Sequence, residues 1–124
     1  MVRLLFIGFI SGALAVLLGA FGKHALEPHL IESGYLDTYQ TASNYHFYHT
    51  FGIITIGLVA GFTKNKKLES AGWLMLTGLV FFSGSLYILC FSVLKFWVLI
   101  TPVGGILLVV SWLLAAYLIW KGHK

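Results

Sequence analysis

The sequence predicts an all-α integral membrane protein, a four-helix bundle with a short interfacial helix in its first loop. Two observations carry that reading. Hydrophobic residues make up 59% of the 124 residues and charged residues 10%, against roughly 45 to 50% and about a quarter in soluble proteins; mean hydropathy is +0.91. A soluble domain of this length keeps much of its chain at the surface, and eight basic plus four acidic side chains cannot cover it. The second observation is where those charges fall. A spanning helix needs about 20 apolar residues, because roughly 30 Å of hydrocarbon is crossed at about 1.5 Å per residue, and the charges leave four gaps of that length within a single domain, 1–124.

The first span is expected at about 4–22, directly after Arg3. A cleaved signal peptide is the rival reading, since Ser11-Gly-Ala-Leu-Ala15 loosely matches a processing site; the uncharged run continues past it to Gly22, which favours a retained helix. The loop that follows holds Glu27, Glu32 and Asp37, with Pro28 and Gly34 as breakers. Leu26, Leu30 and Ile31 recur there at helical spacing, which predicts an interfacial helix ending before Gly34. Asp37 is placed to cap a second helix running from Thr38 into the membrane, with its span at about 44–63. The third and fourth spans are expected at about 70–93 and 97–120, each free of charge between Glu69, Lys95 and Lys121.

Basic residues orient the bundle, because short positively charged loops stay on the cytoplasmic side. Arg3, Lys64, Lys66, Lys67, Lys121 and Lys124 share one side and Lys23 and Lys95 the other, so both termini are expected in the cytoplasm and the chain in a bacterial cell membrane. Trp73, Tyr117 and Trp120 then fall near the inner interface, and Tyr45, Tyr48 and Trp97 near the outer one. The net charge of +4 is accounted for by these flanking positions and by attraction to anionic membrane lipids, so no nucleic-acid partner is implied. Lys23 and Lys95 could hold a phosphate head group, or simply snorkel. The lone Cys90 closes no internal disulfide and reads as a small buried hydrophobe.

Small residues let membrane helices approach, and every span has them: Gly8, Gly12 and Gly19 in the first, Gly57 and Gly61 in the second, Gly78 and Gly84 in the third, Gly104 and Gly105 in the fourth. They serve contacts within one chain or a homo-oligomer; the sequence leaves both open.

Polar residues gather in the outer half. For a helix entering the membrane near Asn44, His46 and His49 lie roughly 3 to 8 Å below the boundary and, three residues apart, share a face; Tyr45 and Tyr48 repeat the spacing. Ser83, Ser85 and Tyr87 of the third span, with Thr101 and Pro102 of the fourth, come to similar depth. Pro102 frees a carbonyl one turn earlier, for which the nearby hydroxyls and imidazoles are candidate partners. One reading is that these groups satisfy each other and hold the helices in register; the other is a ligand site, since ionisable residues inside a membrane default to function. A metal site would need His24 beside His46 and His49, a set that suits zinc. No bis-histidine haem follows from two histidines on one face, and Ser83 and Ser85 around Gly84 lack the strand-turn-helix setting of a nucleophile. No cofactor is identified.

Four segments carry a resemblance: Gly19-Ala-Phe-Gly-Lys-His-Ala-Leu26, Thr41-Ala-Ser-Asn-Tyr-His-Phe-Tyr-His49, Phe82-Ser-Gly-Ser-Leu-Tyr87 and Ile100-Thr-Pro-Val-Gly-Gly105. In order and spacing they resemble the hallmark segments of the YwdK and YgdD family, small four-helix membrane proteins filed as domain of unknown function family 423, with a mitochondrial relative in animals. The resemblance covers essentially the whole chain. It implies His24, Tyr45, His46, His49, Ser83, Ser85, Tyr87, Thr101 and Pro102 as motif positions, and attaches no chemistry to them. Lys23 departs from the small residue usual at its place, which puts a shared role for that lysine in doubt.

Three functions are therefore expected candidates. The leading one is non-enzymatic: binding of a lipid, small ligand or partner helix through the polar cluster. A small transporter or proton-linked channel through His46 and His49 is the second, and a metal-dependent membrane enzyme using His24, His46 and His49 the third.

Overall fold

The computed structural model describes residues 1–123, and all its regular structure is helical. The elements are α1 (Val2–His24), α2 (Glu27–Ser33), α3 (Leu36–Thr63), α4 (Lys66–Leu89) and α5 (Trp97–His123). No strand occurs among the described residues, and Lys124 lies outside them. The chain is an all-α membrane protein. Helices α1, α4 and α5 are each long and apolar enough to cross a membrane. Their outward faces carry bare Phe6, Phe9 and Phe21 on α1 and Leu99, Ile106 and Leu113 on α5, an apolar exposure that water tolerates poorly and acyl chains satisfy.

Helix α3 is the longest, at 28 residues, and the most polar of the four in its first half, where Tyr39, Gln40, Asn44, Tyr45, His46, Tyr48 and His49 fall within four turns. It tolerates them by position. The helices pack serially, α1 on α3, α3 on α4 and α4 on α5, and α1 and α5 share no interface. Helix α3 thus stands inside the row and turns Tyr39, His46 and His49 toward its neighbours, while Gln40, Asn44, Tyr45 and Tyr48 stay exposed.

The expected interfacial helix is α2, closed by Gly34 at φ 79°, a left-handed conformation that glycine adopts without steric cost. Beyond it α3 starts at Leu36, two residues before the expected Thr38. Its cap position is Tyr35, with no side-chain bond, and Asp37 sits in the first turn. There the carboxylate meets the positive end of the helix dipole rather than capping an N–H.

The small residues of α1 face α3. A Cβ added at Gly8 would come 2.7 Å from Ile54, and one added at Gly57 2.8 Å from Leu5, so each helix sets a branched side chain into the other's glycine. Between α4 and α5 the approach is of backbone on backbone: a Cβ at Gly104 would lie 2.3 Å from the amide nitrogen of Phe82. Phe82 belongs to a single π-helical turn, Val80–Gly84, inside α4. Such turns bulge one residue outward and recur at functional sites.

One end of the bundle carries the termini and the tight α3–α4 turn at Lys64 and Asn65; the other carries α2 and the α4–α5 turn. The half toward the termini has an apolar core of Leu4, Ile53, Ile56, Ala60, Leu68, Ala71 and Met75. The polar side chains lie from mid-height toward the other end.

Candidate functional site

The centre of the polar layer is His46, 8% exposed on α3. Its Nε2 lies 3.1 Å from Ser11 Oγ on α1 and its Nδ1 3.1 Å from the Tyr87 hydroxyl on α4. Ser11 Oγ is in turn 2.7 Å from Thr50 Oγ1, one helical turn along α3 from His46. Four side chains thus form one hydrogen-bonded chain tying three helices together. A neutral imidazole donates from one nitrogen and accepts at the other, which two hydroxyl partners satisfy in either sense.

The remaining hydroxyls bond mainly to backbone. Ser83 Oγ donates to the Ala42 carbonyl of α3 at 2.9 Å. Ser85 Oγ is 2.9 Å from the Phe82 carbonyl and 2.6 Å from Thr101 Oγ1, joining α4 to α5. Thr101 also reaches the Trp97 carbonyl at 3.3 Å, which is one position before the Val98 carbonyl that Pro102 leaves without its helical donor. The freed group is therefore not the one this threonine serves. Tyr39 donates to the Leu18 carbonyl of α1, and its ring meets Tyr87 edge-on at 5.2 Å. Among the described residues, no buried side-chain nitrogen or oxygen lacks a partner.

His49 behaves differently. Its Nδ1 is 2.8 Å from the Tyr45 carbonyl; a carbonyl only accepts, so Nδ1 carries the proton and the neutral ring keeps its lone pair at Nε2. Nε2 makes no hydrogen bond among the described residues and, since no enclosed nitrogen there is left without a partner, it opens to the surface of the bundle, although the residue as a whole is only 6% exposed. The ring stacks on Tyr45 with centroids 5.7 Å apart and leans on Trp112 at 6.0 Å. It lines a groove of about 650 Å³ between α3, the π turn and α5, walled by Tyr45, Phe82, Pro102, Gly105 and Trp112.

The expected shared face of the two histidines therefore splits. His46 turns between α1 and α4, and His49 turns toward α5. The sixty degrees that separate positions three apart on a helix is enough to send them to different neighbours. Their height along the helices follows from the same contacts. Ser11 is nine residues from the start of α1 and thirteen from its end, and His49 is thirteen and fourteen residues from the ends of α3, about 20 Å along the axis. The network thus reaches the middle of the bundle.

His24 does not join the set. It is the last residue of α1, exposed, and thirteen residues, about 20 Å, beyond the Ser11 that meets His46. No group of three His, Cys, Asp or Glu able to hold a metal occurs among the described residues, so the arrangement gives a His24, His46 and His49 metal centre no geometry. Ser11 and Thr50 are the members that sequence reasoning missed. Thr50 stands four residues after His46, on the same face, which is the spacing that could have found it; Ser11 reads only as one more small residue in a glycine run.

The chain matches, over residues 18–105, the family model described as "Protein of unknown function (DUF423)". The chain belongs to this DUF423 family. The matched segment holds every residue of the four motifs, and leaves Ser11 and Trp112 outside it. It is similar to a UPF0382 membrane protein of Staphylococcus saprophyticus, 42% identical over 87% of this chain and 88% of the relative. The UPF0382 membrane protein YwdK of Bacillus subtilis is 40% identical over 87% and 88% of the two chains, and a UPF0382 membrane protein of Haemophilus influenzae 38% identical over 87% and 86%. No solved structure matches the chain. The family resemblance drawn from the four motifs thus holds, and the DUF423 relatives are named as membrane proteins.

Proposed function

We propose that this DUF423 protein crosses the cell membrane four times, with both termini cytoplasmic, and binds a lipid-phase ligand without chemically changing it. The carrying observation is the contrast between the two histidines. His46 has both nitrogens engaged within the chain and serves as a structural tie, whereas His49 presents a free acceptor to an uncharged groove at mid-height. A site that exists only to hold helices in register has no use for an open acceptor. The transporter reading is less well supported: beyond Thr50, toward the termini, the core is apolar and offers a proton or ion no polar step.

Lipids that co-purify with the protein test the binding. Mass spectrometry of the extract is expected to show a species retained by the native chain and depleted in Tyr45→Ala and His49→Ala; identical profiles in all three remove the reading. The orientation has its own check. A fluorescent protein fused after Lys124 should be bright and an alkaline phosphatase fused there inactive, because the first matures only in the cytoplasm and the second only outside it. The reverse pattern would turn the bundle over.

A further inference from the structure

Resting on that reading of the groove, we infer that its ligand is the reduced head of a membrane-soluble quinol, an uncharged aromatic ring that donates a hydroxyl hydrogen to His49 Nε2. The polarity follows from the bond on the other side of the imidazole. With Nδ1–H held by the Tyr45 carbonyl at 2.8 Å, the neutral ring can only accept at Nε2, so the ligand must bring a donor. The residue is only 6% exposed, its ring lines the groove, and Nε2 is the acceptor it leaves accessible there.

Charge and depth narrow the class. No Lys, Arg, Asp or Glu lines the groove, so a phosphate or ammonium head there would be a buried charge without a partner. His49 also lies about 20 Å from either end of α3. Glycerolipids and simple long-chain alcohols keep their polar heads at the water interface, where those heads are solvated, and do not bring a hydroxyl to that level. A quinol ring has apolar faces and donors on its edge, so it can enter the hydrocarbon and needs only one or two fixed partners.

The walls fit such a ring. Tyr45 and His49 stack with ring planes 14° apart, and Phe82 and Trp112 tilt against them, an aromatic lining against which a ring can pack edge-on or offset. Pro102 and Gly105 form the opposite side, where the absence of long side chains leaves room. Exposed Ile106 and Val109 border the groove, so a tail can extend sideways among acyl chains. The indole and phenol of Trp112 and Tyr45 are donors that either redox form can accept. Nε2 is the group that tells the forms apart, because a quinone has no hydrogen to give it.

Native mass spectrometry of the full chain in detergent, under anaerobic conditions, tests this with three probes: decylhydroquinone, decylquinone and the dimethyl ether of decylhydroquinone. The hydroquinone is expected to bind the native chain about tenfold more tightly than the other two, the value of one buried hydrogen bond. In His49→Phe, which keeps a flat ring beside Tyr45 and removes the acceptor, that preference should vanish while binding of the ether stays within about twofold. Equal binding of all three probes to the native chain overturns the inference without recourse to any variant, and so does a preference that survives in His49→Phe. If a co-purified lipid is nonetheless lost in His49→Ala, the groove remains a ligand site of another chemistry; if neither lipid nor probe binds, both readings fall.

Discussion

Gly104→Ala is expected to lower the stability of the folded protein in detergent micelles by about 3 kcal/mol or more, measured from its unfolding midpoint. The added carbon would stand 2.3 Å from the Phe82 amide nitrogen and 2.7 Å from the Phe81 carbonyl carbon. Neither atom is on a side chain that could rotate away, so α4 and α5 must separate, and with them the Ser85 to Thr101 bond and the walls of the groove. Gly84→Ala is the matched control. Nothing lies within 4 Å of a Cβ at Gly84, and alanine favours a helix over glycine by up to about 1 kcal/mol, so that variant should melt at or slightly above the native temperature. Equal losses in the two would show that the backbone contact at Gly104 is not what closes the interface.

His46→Leu should cost about 2 kcal/mol, and His49→Leu less than about 1 kcal/mol, in the same assay without added ligand. Leucine at 46 leaves Tyr87 with Ser43 alone and Ser11 with Thr50 alone, and breaking two links of a network in a low-dielectric interior is expensive. Leucine at 49 removes a bond to a carbonyl that already accepts within α3, so no group is newly orphaned. Tyr87→Phe combined with His46→Leu should then be less harmful than the two separate losses added together, by about 0.6 kcal/mol or more. Strict additivity would mean that the His46 to Tyr87 bond contributes nothing to the fold.

The helices were legible because the bilayer imposes a length and forbids charge, and Glu69, Lys95 and Lys121 mark the limits cleanly. The interfacial helix was legible from Pro28 and Gly34. What the sequence could not give was azimuth. Residues three apart look like one face on paper, yet His46 and His49 fall on either side of the ridge where α4 meets α3, and a rotation of a few tens of degrees decides which neighbour each one meets. Height within the bundle was not legible either: which residue of α1 lies level with His46 is set by the packing of α1 on α3, and it is Ser11, near the middle of α1. The π turn at Val80–Gly84 was not read from the sequence either; it lies where Gly104 seats against Phe82.

The serial order of packing bears on how the chain comes to be assembled. From α3 onward each long helix packs extensively on the long helix synthesised just before it, and none must wait for a distant segment to close a ring. Contacts between sequence neighbours form quickly. Helix α3 therefore emerges beside an α1 that already offers Ser11 to His46 and the Leu18 carbonyl to Tyr39, whereas His49 meets Trp112 only once α5 has followed.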